Sequence, residues 1–364
     1  MTTINDPSAM TPDDPRWLSW FMQQRRFDRL SRKAQTGASL ITDFAAGVYE
    51  MGYPGQRRGS YELSDIVKVS RSTGGGIINQ IGQFEWVSSG VARLTYDPVT
   101  LQPLGLLIEE QRTNLLPRST NPGAWGSGVL NGTANGAIGL DGAMSAFLTA
   151  ADSDFGQHNI VIPADTSSYT LSIYVRPAVA NVGKAFFTLT GINGVPGQAG
   201  VFNSFYDFST QTFGAGMVGW KAEPFGLFTR LTKTFQNNGS GTIFVVRMDN
   251  DPSAQIVLGG IQVEAGSFPT SYIPTVASQV TRAADVASVN TLSPWYNASK
   301  GTFEVSARGI VGQPLLTAGG AVIIADSATF KDYSLSYTTD PSASSLVIGK
   351  GHTRSIKYFP RSDA

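Results

Sequence analysis

From residue 38 onward the sequence is a series of short apolar segments separated by turn residues. Segments such as Thr170–Val175, Thr242–Met248 and Ile256–Val263 are rich in β-branched side chains, with Gly, Asn, Asp and Pro between them. This pattern predicts β-strands joined by turns. No helical pattern of about 10–15 residues separates the strands, which disfavours a parallel sheet with crossover helices. The pattern therefore predicts an all-β fold made of jelly-roll or β-sandwich modules.

One short α-helix is predicted before these strands. Asp13, Asp14 and Pro15 are typical of a helix start, and Gly37 is typical of its end. Aromatic side chains follow the start at roughly helical spacing, and the first three are Trp17, Trp20 and Phe21. These side chains either pack onto the next domain of the same chain or form an attachment surface for another protein or another copy. The sequence leaves both interpretations open.

Charge and residue counts exclude several classes of function. The 27 basic and 27 acidic residues balance, so nothing favours binding to nucleic acid or to an anionic membrane. The absence of Cys excludes disulfides and thiolate sites, and two distant histidines leave little material for a catalytic triad. No apolar run approaches the roughly 20 residues that span a bilayer, and no signal peptide is visible. We therefore expect synthesis in the cytoplasm without membrane insertion.

Changes in pattern along the chain predict four regions. Residues 1–37 contain the N-terminal helix, and residues 38–112 form a small β-rich connecting region. Residues 113–280 form a jelly-roll domain, and residues 281–364 form a short β segment.

A polar cluster directly follows the apolar segment that ends at Ile108. Carboxylate and amide oxygens at Glu110 and Asn114, together with Glu264, could hold a structural Ca²⁺. The alternative is a set of ion pairs between Arg112 and nearby carboxylates that locks a junction between two modules, and we favour it. No other cofactor is expected. Asp152 and Asp154, two residues apart, could contribute to a metal site, but two loop aspartates are usually only solvated.

Three aromatic residues are candidate platforms for sugar stacking. Trp125 and Trp220 lie in Gly-rich sequence that suggests loops, and Phe225 follows in the same region. The alternative is that these rings belong to the core, which is the commoner position of aromatics in all-β domains.

Three segments resemble a module that is common in the tail and fibre proteins of bacteriophages. They are Tyr96–Thr100 running into Gly105–Leu116, then Gly260–Thr275, and then Val280–Val286. The resemblance implies a jelly roll of the carbohydrate-binding type at 113–280. It also implies a shortened concanavalin-like lectin segment at 281–364.

The resemblance implies a structural, non-enzymatic protein of the phage tail, either a fibre or a tail-tip component. Expected partners are other tail proteins, host-surface polysaccharide or lipopolysaccharide, and two further copies in a homotrimer. Residues 1–37 would then attach the protein to the virion. The alternatives are a purely architectural tail, collar or head-decoration protein and, with less support, a polysaccharide depolymerase or a bacterial surface lectin.

Overall fold

The structure is a computed structural model, and it describes part of the chain. The described residues are 38–53, 58–192, 204–215, 217–237, 239, 243–297, 299–319, 321–337 and 345–360. The predicted N-terminal helix, with Trp17, Trp20 and Phe21, lies outside these residues. The described part is built almost entirely from antiparallel strands, so the predicted all-β class is confirmed. Its helical elements are α1 (Leu63–Ile66) and a 3₁₀ turn at Pro122–Ala124.

The strands fall into three consecutive stretches of the chain. Those before residue 115 are β1 (Leu40–Asp43), β2 (Val48–Met51), β3 (Gly59–Ser60), β4 (Lys68–Ser70), β5 (Gly75–Ile78), β6 (Phe84–Val87), β7 (Leu94–Tyr96), β8 (Pro103–Ile108) and β9 (Arg112–Asn114). The middle strands are β10 (Ser127–Gly128), β11 (Gly132–Ile138), β12 (Met144–Thr149), β13 (Phe155–Val161), β14 (Ser168–Pro177), β15 (Lys184–Ile192), β16 (Phe205–Asp207), β17 (Thr212–Phe213), β18 (Lys221–Phe225), β19 (Phe228–Gln236), β20 (Ile243–Asp249) and β21 (Ile256–Ala265). The last are β22 (Val280–Arg282), β23 (Val286–Val289), β24 (Gly301–Gly309), β25 (Pro314–Ala318), β26 (Ala321–Ile324), β27 (Lys331–Tyr337), β28 (Leu346–Ile348) and β29 (Gly351–Pro360).

The middle strands form one sandwich, which we call the inserted sandwich. Its sheets have the orders β10-β13-β20-β15-β16-β17 and β11-β12-β21-β14-β19-β18. The chain crosses between the two sheets repeatedly, as in double-sheet jelly rolls. Alternate side chains of both sheets meet in one apolar core that includes Phe147, Ile173, Phe187 and Val246.

The outer stretches of the chain together form a second sandwich, which we call the split sandwich. Its larger sheet has the order β27-β24-β29-β1-β2-β3, and β8 joins it by pairing with β29 and with β7. Its smaller sheet has the order β26-β25-β28-β23-β4. The segments predicted as separate regions, 38–112 and 281–364, therefore share both sheets.

The core of the split sandwich draws on both of these segments. Leu40 and Leu106 from the first segment pack with Val305, Ile356 and Tyr358 from the second, and all five are at most 1% exposed. Residues 38–112 and 281–364 thus form this sandwich together.

The inserted sandwich leaves and rejoins the split sandwich through a two-stranded ribbon. Strand β9 pairs with β22, so that Arg112 lies opposite Arg282 and Asn114 lies opposite Val280. Entry and exit of the insertion are therefore adjacent in space.

The outer face of one sheet of the inserted sandwich is covered by aromatic side chains from other parts of the chain. Tyr174 on β14 packs edge-on against Tyr272, with ring centroids 5.5 Å apart, and Phe84 of the β5–β6 hairpin packs against Tyr272 at 5.4 Å. Tyr272 lies in the segment after β21. These contacts hold the inserted sandwich against elements of the split one. In the described residues, no helix is both long and apolar enough to cross a membrane.

Candidate functional site

A buried ion-pair network lies where the two sandwiches meet. The Asp285 carboxylate accepts hydrogen bonds from Arg71 Nη1 at 2.8 Å and from Arg93 Nε at 3.3 Å. It also accepts one from the backbone N–H of Glu109 at 2.8 Å. The side chains of Arg71 and Arg93 are fully buried, and that of Asp285 is 1% exposed. Because buried charges are stable only when they are paired, Asp285 fixes both guanidiniums in place.

Glu109 connects this network to the segment after β21. Its Oε2 accepts from Arg93 Nη1 at 2.7 Å and lies 3.4 Å from Arg282 Nη2. Its carboxylate also accepts from the backbone N–H of Ser271 at 2.8 Å and from the Ser271 hydroxyl at 2.7 Å. Burial acts to raise the pKa of Glu109, but the guanidiniums of Arg93 and Arg282 outweigh it and lower that pKa to about 2. The carboxylate is therefore ionised at neutral pH.

Asn114, one of the predicted calcium ligands, is fully engaged by the backbone. Its Oδ1 accepts from the N–H groups of Leu116 and Val263, both at 3.1 Å. Its Nδ2 donates to the carbonyl oxygens of Ile261 at 3.2 Å and Ile273 at 2.8 Å. The amide oxygen thus has two donors already, which leaves it poorly placed to hold a cation.

Glu110 and Glu264, the other two predicted ligands, both lie close to the guanidinium of Arg112. Arg112 forms an ion pair with Glu110 and lies 3.6 Å from a carboxylate oxygen of Glu264. Glu110 also pairs with Lys350 at 3.0 Å, and Glu264 accepts from the backbone N–H of Thr270 at 2.9 Å. The predicted ion pairs are therefore present, and the contacts do not support calcium at these residues. Within the described ranges, no group of three or more His, Cys, Asp and Glu side chains is placed to hold a metal ion.

The two tryptophans predicted as sugar platforms are core residues. Trp125 is 5% exposed and Trp220 is 7% exposed. The Trp220 ring packs edge-on against Phe187, with centroids 4.7 Å apart. Stacking on a sugar needs an exposed ring face, so the prediction of platforms at Trp125 and Trp220 is wrong. Gly-rich sequence around a tryptophan indicated a turn, but the turn directs the ring inward.

Phe225, the third predicted platform, is half-buried and lines a cavity between the two sandwiches. This cavity, which we call the cleft, has a volume of about 380 Å³. The Phe225 ring packs edge-on against Tyr174, with centroids 4.9 Å apart. Tyr96 and Asp97 line the opposite side from the split sandwich, and exposed Glu223 lies on the Phe225 side. The cleft therefore combines aromatic surface with charged groups.

Two arginines line the cleft without a carboxylate partner. In the part of the chain that the structure describes, neither Arg230 nor Arg308 forms an ion pair. Arg230 Nη2 donates to the carbonyl oxygen of Thr270 at 2.9 Å, while its buried Nε has no hydrogen-bond partner. Burial lowers the pKa of Arg308, although Asp97 and Glu223 raise it by electrostatic attraction. Both guanidiniums therefore have donor capacity that a ligand in the cleft could use.

A second cavity, of about 300 Å³, adjoins the cleft. Arg308 and His352 line both cavities, and Phe268, Glu110 and Lys350 line the second one. Both volumes fall near the lower end of the roughly 300–1,000 Å³ typical of small-molecule sites.

His352 is held neutral between the two cavities. Arg308 Nε donates to His352 Nδ1 at 3.3 Å, so Nδ1 is unprotonated and the ring proton lies on Nε2. Burial and the nearby charge of Arg308 lower the pKa of His352 to about 3. At neutral pH the ring can donate one hydrogen bond, from Nε2, toward a ligand.

This shift predicts a pH dependence of stability. The unfolded chain binds a proton at His352 below about pH 6.5 and the folded chain does so only near pH 3, so acidification through this range favours unfolding. Relative to wild type, His352→Asn should therefore become progressively more stable as the pH falls from about 6.5 to 5. Urea denaturation at several pH values measures this difference. A constant difference between wild type and variant across that range would contradict the assignment of a neutral, half-buried histidine.

Comparison with known proteins adds no family assignment. No family model matches the sequence, and no curated protein matches it.

Sequence reasoning did not identify the two arginines and the histidine of the cleft. Arg230 lies on β19, Arg308 on β24 and His352 on β29, so no local motif contains them. Only the packing of the two sandwiches brings them to one cavity.

Proposed function

We propose that this protein is a structural component of a bacteriophage tail, a fibre or tail-tip protein that presents a glycan-binding cleft to the host surface. It would be made in the host cytoplasm and reside in the virion. It would form a homotrimer, and this trimer would contact other tail proteins. Its ligand would be host-surface polysaccharide or lipopolysaccharide. The resemblance of Gly105–Leu116 and Gly260–Thr275 to phage tail modules supports this assignment.

The observation that carries the binding part of the proposal is the composition of the cleft. Saccharides present apolar ring faces and many hydroxyl groups, so their sites combine aromatic surface with a few placed polar groups. Phe225 and Tyr96 offer the aromatic surface, and Arg230, Arg308 and Glu223 offer donors and acceptors. The proposed binding site is therefore the cleft and not the buried tryptophans.

Two carboxylates of the cleft, Glu109 and Asp97, have pKa values that do not suit general-acid catalysis. A glycosidase needs one carboxylic acid whose pKa is raised, so that it can protonate the leaving group. The pKa of Glu109 is lowered to about 2 by its guanidinium partners, against the effect of burial. The pKa of Asp97 is also lowered, because backbone N–H groups of Thr100 and Val99 outweigh its partial burial. Neither group is suited to act as the acid.

A weak site would still serve attachment in an assembly with several copies. Linking sites converts later binding events into intramolecular ones, so avidity can exceed the affinity of one site by about 10²–10⁴. The buried ion-pair network around Asp285 would hold the two sandwiches in the same relative position in every copy, so that each cleft has the same shape.

Substitution at the cleft should weaken glycan binding without unfolding the protein. Phe225→Ala removes an aromatic surface, for which a loss of about tenfold in affinity is expected. Glu223→Gln removes one charge at an exposed position and should also weaken binding. Leu227→Ala is the matched control, because Leu227 is 72% exposed on the same hairpin and does not line the cleft. Binding is measured on an array of purified bacterial polysaccharides and lipopolysaccharides, with thermal melting of each variant.

Two outcomes would count against the proposal. If wild type binds a polysaccharide and Phe225→Ala and Glu223→Gln bind it equally well, the cleft is not the site. If folded wild type binds none of the array, the architectural alternative is favoured. The buried network of Asp285 and Glu109 supports that alternative too, because a rigid spacer between tail components also needs a locked junction.

A further inference from the structure

The second cavity, of about 300 Å³, borders some of the same side chains as the cleft. The residues that line both are Leu107, Glu109, Pro269, Thr270, Arg308 and His352. Because these residues belong to both linings, the two cavities adjoin each other. A ligand that fills the cleft can therefore continue into the second cavity.

One segment of the chain forms part of the wall of both cavities. Residues 268–270 line the second cavity, and residues 269–272 line the cleft. Four residue steps span at most about 14 Å even in a fully extended chain, so one short oligosaccharide can reach both ends of this wall. The Ser271 N–H donates to Glu109 at 2.8 Å, and the Thr270 N–H donates to Glu264 at 2.9 Å. These hydrogen bonds hold the wall in place, and with it the spacing of the two cavities.

The second cavity repeats the combination of groups that the cleft offers. Phe268 is half-buried and lines the second cavity, as Phe225 lines the cleft. The Arg112 guanidinium lies 5.0 Å from the centroid of the Phe268 ring and supports it from one side. Glu110 and Lys350 also line this cavity, and their side chains, paired at 3.0 Å, are 24% and 44% exposed. The second cavity thus also combines aromatic surface with a few placed polar groups, as ligand sites do.

Arg308 offers hydrogen-bond donors where the two cavities adjoin. Its Nε donates to His352 Nδ1 at 3.3 Å, and among the described residues neither of its Nη groups has a hydrogen-bond partner. The guanidinium also lies 5.1 Å from the centroid of the Phe330 ring, which supports its position. The N–H groups at Nη1 and Nη2 therefore remain for a ligand. Saccharide hydroxyl groups and glycosidic oxygens are acceptors of the matching kind.

We propose that the second cavity is a second sugar subsite, so that the protein recognises a stretch of linked sugar residues and not a single one. This inference rests on the proposed function, because it extends the site in the cleft. One sugar residue would lie against Phe225 and another against Phe268, with Arg308 and the Nε2 proton of His352 donating to oxygens between them. The second contact raises affinity because it is made within the same complex. A saccharide too short to reach Phe268 binds only in the cleft.

The test compares saccharide lengths by isothermal titration calorimetry on the full chain. The probes are oligosaccharides of increasing length, prepared by partial acid hydrolysis of the array glycan that wild type binds most tightly. The affinity of wild type should rise by at least about tenfold at the length that first reaches the second cavity. Phe268→Ala should lose this rise but bind the shortest measurable probe as wild type does. Phe225→Ala should bind every length more weakly.

Two further variants control the comparison. Val311→Ala is the matched control, because Val311 is 60% exposed beside the second cavity and lines neither cavity. Its affinities should equal those of wild type at every length. Lys350→Gln removes a charged donor from the second cavity at a partly exposed position, so it should reduce the rise and keeps the test decisive if Phe268→Ala fails to fold.

The outcomes separate this inference from the proposed function. If wild type binds probes of every length with the same affinity, the second subsite is refuted and the cleft remains a glycan site. The same conclusion follows if folded Phe268→Ala and Lys350→Gln both keep the full rise in affinity. If wild type binds no glycan of the array, the proposed function and the second subsite are both overturned.

Discussion

Asp285→Ala is expected to destabilise the protein by about 3–5 kcal/mol, the usual cost of breaking a buried ion pair from one side. Asp285 is the acceptor for Arg71, Arg93 and the Glu109 backbone N–H, and Arg282 Nη1 lies 3.8 Å from its Oδ2. Alanine would leave these buried guanidiniums with Glu109 as the remaining carboxylate of the network. Their mutual repulsion and lost hydration are the physical causes of the loss. The midpoint of urea denaturation measures the effect.

Two further variants control this experiment. Asp285→Asn keeps the shape and one acceptor oxygen but removes the charge, so its midpoint should fall between those of wild type and Asp285→Ala. Asp326→Ala breaks the exposed pair with Lys331 and should leave the midpoint unchanged, since exposed pairs contribute little. If Asp285→Ala unfolded at the same urea concentration as Asp326→Ala, the network would not be a stabilising junction.

Residues 282–364 expressed alone are expected to remain unfolded. Within the larger sheet β29 pairs with β1 and β8, and these two strands come from the absent segment. The fragment would expose the core face that Leu40 and Leu106 cover, together with an unpaired edge of β29. Far-UV circular dichroism and the dispersion of amide proton NMR signals measure this outcome.

Joining the two outer segments should restore the fold. The β9–β22 ribbon places Arg112 opposite Arg282, so an Asn-Gly turn between these residues can replace residues 113–281 as a two-residue hairpin. The joined chain should unfold cooperatively, although less stably than the full protein, because it lacks Ser271 and Tyr272 at the junction. A dispersed, native-like spectrum from residues 282–364 alone would refute the split arrangement.

Local patterns were reliable guides to the strands. The apolar run Leu104–Ile108 predicted a strand and corresponds to β8 (Pro103–Ile108). The segment Thr170–Val175 lies within β14 (Ser168–Pro177), and Ile256–Val263 lies within β21 (Ile256–Ala265). These predictions succeeded because the side-chain period of a strand and the preferences of turn residues are properties of neighbouring residues.

Neighbouring residues predicted an ion pair but not the burial of a tryptophan. The ion pair between Arg112 and Glu110 is present as expected, two residues apart. The role of Trp220 could not be read in this way, since Phe187, against which its ring packs, lies on β15, more than thirty residues earlier. Gly-rich composition predicts a turn in the backbone, but it does not predict whether the tryptophan ring points into the core or to solvent.

The sequence by itself determined the all-β class, the position of most strands and the polar character of the junction after β8. The tertiary structure alone decided which strands share a sheet, because β1 and β29 are paired although more than three hundred residues separate them. It also decided that Arg71, Arg93 and Asp285 meet, and that Arg230 and Arg308 face one cleft. Strand pairing and burial depend on contacts between distant segments, and no local pattern in the sequence records those contacts.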